Sequence, residues 1–121
     1  MNIAFSGGRD YEPEPYDIAV AATKFVHHFN DMVVLVGDCK TGVDRVVRKH
    51  FKGWGKEPMR IYMADWSANR KAAGPIRNMD MVDDADALIA FWDGKSPGTK
   101  NCIKCATDKG IPVLIMPIDR T

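Results

Sequence analysis

The chain has 121 residues, a formal net charge of +1, 45% hydrophobic and 27% charged residues, the proportions of a soluble domain with one core. So small a net charge excludes a global field that recruits nucleic acid or membrane, and no apolar run approaches the roughly 20 residues of a bilayer span. Three cysteines argue against a disulfide framework, and "MNIAFSGGRDY" lacks the basic and long apolar regions of a signal peptide, so the expectation is a cytoplasmic protein with a single domain over 1–121.

"NIAFS" (2–6) predicts the first strand. "YEPEP" (11–15) reads as a loop, because two prolines disfavour both helix and central strand. "YDIAVAATKFVHHFN" (16–30) carries Ile18, Ala21, Ala22, Phe25, Val26 and Phe29 at helical spacing. That helix would hold His27 and His28, one half-buried and one solvated, neither with a role. "MVVLVG" (32–37) does not alternate with polar residues and predicts a strand buried on both faces. "GVDRVVRKHFKGW" (42–54) predicts a helix with Val43, Val46, Val47 and Phe51 on one side. "MRIYMA" (59–64) is a third strand. "GPIRNMDMVDDA" (74–85) is a helix with Pro75 in its first turn. "DALIAFW" (86–92) is a fourth strand. "GTKNCIKCATDKG" (98–110) is a helix closed by Gly110, and "IPVLIMP" (111–117) is the last strand. The alternation implies an α/β fold: a Rossmann-like three-layer sandwich around a mostly parallel sheet of about five strands.

In such sheets ligands bind beyond the carboxyl ends of the strands, at the switch in strand order. Four exits here are polar or glycine-rich: "SGGRDY", "GDCKTG", "ADWSANRKAAGPIRN" and "FWDGKSPGT". Gly7 and Gly8 let backbone N–H groups approach a ligand. Gly98 and Thr99 start a helix, whose N-terminus suits an anion. Ser6 and Thr41 bring hydroxyls. Arg9, Lys40, Arg70, Lys71 and Arg77 bring cations. Asp38, Asp44 and Asp65 suit a ribose hydroxyl or serve to orient those cations. Trp66 and Trp92 offer a face for a base, beside their ordinary use in packing. Phosphate or diphosphate is the natural inference. "SGGRD" is not a complete dinucleotide fingerprint, and "GDCKTG" lacks Walker A spacing. Cys102 and Cys105 form a C-x-x-C pair without a second paired motif, so they read as helix-packing residues rather than a zinc site. The expectation is no metal and no cofactor.

Taken together, "SGGRDY", "GDCKTGVDRV", "DWSANRKAAGPIRNMDMV", "DALIAFWDGKSPGT" and "GIPV" resemble the YspA/YpsA-like branch of the SLOG superfamily, along nearly the whole chain and in order. That superfamily includes the LOG phosphoribohydrolases and the DNA-processing protein DprA. The resemblance implies a Rossmann-like domain that senses or processes a nucleotide-derived ligand. It matches "SGGRD" to the first phosphate loop, and it carries over Gly37, Gly42 and Asp44, with Asp38, Cys39, Lys40 and Thr41 more loosely. It also carries over Asp65, Trp66, Lys71, Gly74, Arg77 and Asn78 from the third exit, and Gly98 and Thr99 from the fourth. Arg77, followed by Met81, fits the arginine of the LOG enzymes. Asn69 and Arg70 stand where that branch often has His-Gly. No acid follows Thr99, where LOG enzymes carry a glutamate; Asn101 and Cys102 are expected to point into the cleft there.

The leading expectation is therefore a binding domain that senses or sequesters a nucleotide-derived ligand. The anion would lie on the Gly7–Arg9 loop and the Gly98–Thr99 helix start, with Arg77 and Lys71 neutralising it. One alternative is a hydrolase of an N-glycosidic or phosphate bond, for which Arg77 and Asp44 are the catalytic candidates and Asp38 and Asp93 substitute acids. Another is a DprA-like nucleic-acid module, against which the net charge counts. The resemblance also implies self-association as a homodimer or higher oligomer.

Overall fold

The computed structural model describes residues 1–53 and 58–118. Five strands, β1 (Asn2–Gly7), β2 (Val33–Gly37), β3 (Arg60–Tyr62), β4 (Ala87–Trp92) and β5 (Val113–Pro117), form one sheet in the order β3-β2-β1-β4-β5. Every pairing is parallel. β2 is buried throughout, as its unbroken apolar run predicts.

The helices are α1 (Pro15–Ala22), α2 (Gly42–His50), α3 (Trp66–Asn69), α4 (Ala73–Asp83) and α5 (Pro97–Lys109). Alternate residues of the central strands feed two cores. On one face Ile3, Phe5, Val34, Val36, Ile89 and Phe91 pack with Ile18 of α1 and with Val43, Val46 and Val47 of α2. On the other, Ala4, Leu35, Leu88 and Ala90 meet Met81 and Val82 of α4 and Cys102 and Ala106 of α5. The result is a Rossmann-like α/β sandwich of three layers. Among the described residues no helix is long and apolar enough to cross a membrane.

Three local features differ from expectation. The first helix stops at Ala22 rather than running to Asn30. The N–H groups of Lys24 and Phe25 reach back three residues instead of four, and the Thr23 hydroxyl donates to Val20 O at 2.5 Å. The chain tightens into turns that still bury Val26. His27 and His28 thus lie outside α1, and both are exposed. The third exit, expected as one connection, contains α3 and a 3-10 turn over Arg70–Ala72 before α4. α2 is helical to His50; the end placed at Trp54 lies outside the described residues.

Prolines, a glycine and a lysine finish several helix ends. Pro15 and Pro97 open α1 and α5, where a missing N–H costs nothing. Gly110 ends α5 at φ 84°, a left-handed conformation that glycine adopts without strain. Lys109 Nζ donates to the carbonyls of Val82, Asp83 and Ala85 at 2.6–3.0 Å. A cation thereby satisfies the open carbonyl end of α4.

A candidate anion-binding cleft at the sheet switch point

The strand order reverses between β1 and β4, which pair along Ile3–Gly7. Their connections leave in opposite directions, so a crevice opens beyond their carboxyl ends. The crevice has two adjoining compartments. The inner one, of about 280 Å³, is bordered by the Ser6–Asp10 segment, by Asp44, Arg77 and Asn78, and by Ser96–Thr99. The outer one, of about 760 Å³, is bordered by Asp38–Thr41, Trp66, Gly74, Pro75, Pro97 and Asn101. Arg9, Cys39, Arg77, Asn78, Pro97 and Gly98 border both.

Close backbone approach builds the inner wall. A Cβ on Gly42 would lie 2.2 Å from the Gly8 carbonyl oxygen and 2.6 Å from Arg9 Cα, and its φ is +71°. A Cβ on Gly7 would lie 2.3 Å from Val43 Cγ2. The start of α2 therefore sits directly on the β1 exit, where the Val43 N–H donates to Gly8 O at 3.3 Å. Thr41 Oγ1 donates to Arg9 O at 2.8 Å, so its hydroxyl fixes the loop. On Gly37 a Cβ would stand 2.6 Å from both Arg77 Nη1 and Asp44 Oδ2.

Two glycines do the opposite. Gly98 lies in the first turn of α5, and a Cβ there meets nothing within 4 Å. A Cβ on Gly74, in α4, meets only Trp66 Cη2, at an ordinary 3.7 Å. The fold would accept a side chain at either place, and both glycines face the crevice. Their missing side chains leave room at its wall.

The charged groups form one chain of contacts. Arg77 Nη1 pairs with Asp38 Oδ1 at 2.8 Å, and its Nε donates to Asn78 Oδ1 at 2.9 Å. Asn78 Nδ2 donates to Gly98 O at 3.3 Å and to Asn101 Oδ1 at 3.2 Å, which ties α4 to the start of α5. Asp38 also accepts from the Ala64 N–H at 3.3 Å. Asp44 is 7% exposed. Burial pushes its carboxyl up to about 6, against the opposing pull of Arg77, the Cys39 N–H and Arg48. A buried carboxyl poised near neutrality in a cleft can exchange a proton at physiological pH.

Most of the expected site residues meet here. Ser6, Gly7, Gly8, Arg9, Gly37, Asp38, Lys40, Thr41, Asp44, Trp66, Gly74, Arg77, Asn78, Gly98 and Thr99 border one or both compartments, and Gly42 packs beneath the Gly8–Arg9 backbone. Asp65 and Lys71 do not border either. Asp65 caps α3: its Oδ1 accepts from the Ala68 N–H at 3.0 Å and the Ser67 hydroxyl at 2.8 Å. Those bonds hold its carboxyl below the usual range. Lys71 is exposed in the 3-10 turn. Cys102 was expected in the cleft with Asn101, but it lies fully buried on the core face of α5, where desolvation pushes its thiol up to about 12. Trp92 is half-buried, and its Nε1 donates to Ser96 O at 3.2 Å. Asp93 is engaged by the N–H groups of Lys95 and Ser96 at 2.8 and 2.7 Å.

Cys39, only loosely carried over by the resemblance, borders both compartments, and Ser96 and Pro97 are border residues not expected from the sequence, although both stand in the fourth exit. The sequence reading also missed Arg48, whose Nη1 and Nη2 donate to the carbonyls of Gly37 and Cys39 at 2.8 and 2.5 Å. The available signal was spacing: Arg48 follows Asp44 by four residues, on the same helix face.

No family model matches the chain. Over 88 residues it is 35% identical to the Gene 61 protein of Mycobacterium phage D29, a match that spans 69% of this chain and 70% of that protein.

Proposed function

The chain belongs to the family of the Gene 61 protein of phage D29, and for this member we propose a binding function: it senses or sequesters a phosphorylated, nucleotide-derived ligand held in the switch-point cleft. The observation that carries the reading is the open glycine in the first turn of α5. Gly98 has a helix geometry that any residue accepts and free space beside it. It lies at the start of α5, where backbone N–H groups lack partners within the helix and the dipole favours an anion. Gly8 and Arg9 face it from the β1 exit, and Arg77 brings a positive charge held in place by Asp38 and Asn78. This arrangement agrees with the SLOG resemblance, which we extend here to a proposal of kinship. Residence in the cytoplasm and self-association belong to the same proposal.

The direct test is calorimetry with ribose 5-phosphate, the four nucleoside 5′-monophosphates and unphosphorylated ribose. Heat from the phosphorylated compounds and none from ribose is expected. No heat from any of them at millimolar concentration overturns the reading.

Two substitutions sharpen it. Gly98→Ala should raise stability by about 0.5–1 kcal/mol, the usual gain in a helix, while weakening phosphate binding, because its methyl enters the anion's space. Thermal melts and calorimetry on the same sample check both halves, and unchanged binding would move the anion elsewhere. Arg77→Ala should weaken binding by about 10- to 150-fold, the range for a hydrogen bond to a charged group. Arg77→Lys should not restore it fully, since lysine lacks the planar fork.

A second reading, slow hydrolysis of the ligand, rests on Asp44. Its carboxyl borders the inner compartment and holds its proton up to about pH 6, as a general acid needs. Release of free base from a nucleoside monophosphate, abolished by Asp44→Asn, would establish that reading over simple binding.

A further inference from the structure

The two compartments differ in chemistry, and the difference gives the cleft a direction. The inner one is bordered by glycine backbone, the start of α5 and Arg77. The outer one has a largely apolar wall, in which Trp66, Pro75 and Pro97 take part, with the exposed cation Lys40 beside it. Trp66 is 58% exposed, unusual for the largest apolar side chain, which globular proteins mostly bury. It is presented by α3, a single helical turn whose start is fixed by the Asp65 cap. The indole edge lies over Gly74, where a Cβ would come to 3.7 Å of Cη2. The other described tryptophan, Trp92, is anchored through its Nε1 to Ser96 O and borders neither compartment.

We propose that the outer compartment is the subsite for a planar nucleobase, which stacks on Trp66 while the phosphate end of the same ligand points inward to Gly98 and Arg77. The inference rests on the binding function proposed above and adds to it an orientation and a ligand class: nucleoside phosphates rather than sugar phosphates. Several facts favour a base over a second anion in the outer space. The volume there exceeds that of the inner compartment. The exposed aromatic face supplies stacking to any base. Arg9 borders both compartments, at the passage where the sugar and any further phosphate would lie, and Lys40 borders the outer one. The missing side chain at Gly74 leaves the floor beside the indole low.

The test compares a ligand with a base to one without. Adenosine, guanosine, cytidine and uridine 5′-monophosphates and ribose 5-phosphate are titrated into the full chain and into Trp66→Ala and Trp66→Phe. Calorimetry gives affinity and tryptophan fluorescence reports the indole. The nucleotides should bind the unaltered protein more tightly than ribose 5-phosphate and quench its emission. Trp66→Ala should weaken nucleotide binding by about 5- to 150-fold, the range for loss of one base–aromatic stack, and leave ribose 5-phosphate binding unchanged. Trp66→Phe, which keeps an aromatic face, should retain most of the nucleotide affinity. Because Trp66 is exposed, both variants should melt like the parent. Equal affinity for nucleotides and ribose 5-phosphate, or a nucleotide preference that survives Trp66→Ala, overturns the base subsite and leaves the phosphate site standing. Failure of every phosphorylated compound to bind overturns both.

Discussion

Gly42→Ala should lower the unfolding free energy by about 2–5 kcal/mol. Two costs add. At φ +71° an alanine pays about 1–2 kcal/mol for the left-handed backbone. Its methyl would also sit 2.2 Å from the Gly8 carbonyl oxygen and 2.6 Å from Arg9 Cα. Both are backbone atoms that cannot rotate away, and overpacking of this kind typically costs about 1–3 kcal/mol. Gly110→Ala is the control, since Gly110 has φ +84° with nothing within 4 Å and should show the backbone cost alone. Urea denaturation of the three proteins separates the terms. Equal losses in the two variants would mean that α2 backs away from the β1 exit without resistance. A larger loss for Gly42→Ala would measure how firmly that exit is held.

The second large effect is a pH dependence set by Asp44. Its folded-state carboxyl is raised from 3.8 to about 6 by burial, so the folded protein binds the proton more tightly than the unfolded chain does. Stability from this group is fully present below about pH 4 and is lost as pH rises through about 6. A shift of roughly two units corresponds to about 3 kcal/mol. Asp44→Asn keeps the shape and an acceptor for the Cys39 N–H, and it cannot ionise. The stability of the unaltered protein minus that of Asp44→Asn, measured by urea at several pH values, should fall by about 3 kcal/mol between pH 4 and pH 8. Subtracting the variant removes the contribution of every other carboxylate. A flat difference would show that Arg77 and Arg48 fully compensate the buried charge. Protonation of Asp44 also removes a negative charge from the inner compartment, which favours a bound anion, while a phosphate monoester takes up its own proton over the same range.

The β-α alternation was legible because apolar runs of strand length recur between amphipathic segments, and a parallel sheet follows from that pattern. The order β3-β2-β1-β4-β5 was not, since no local pattern says which strand lies beside which. The length of α1 was misread for a physical reason. Phe25 and Val26 keep helical spacing and do turn inward, but they do so through turns, and periodicity records burial rather than hydrogen bonding. At the crevice Gly7, Gly8, Gly98 and Arg77 were legible from their position at strand exits, whereas Gly37, Gly42 and Gly74 came through the SLOG resemblance. Asp65 was read as a ligand-holding acid, yet an acid that caps a short helix looks the same in sequence. Cys102 was expected to face the cleft because the helical turn after Thr99 was taken to point there as a whole, but successive helix residues diverge by about 100°, and one position separates crevice from core. Arg48 was visible only as a partner four residues from Asp44.

The central position of β1 also governs how the chain can acquire its shape during synthesis. β1 leaves the ribosome before the other strands of its sheet, yet one of its two neighbours is β4, and Asn2 bonds to Asp86 across 84 residues. At about 5–20 residues per second, roughly 4–17 s separate the emergence of those partners. For that interval β1 has only β2 to pair with, and its other edge, apolar on both faces, is open to any passing strand. Parallel pairing over such separations is slow and exposed to aggregation. A nascent chain halted before Trp92 should therefore be captured by chaperones that recognise extended apolar segments, whereas a chain released after Pro117 should fold free of them.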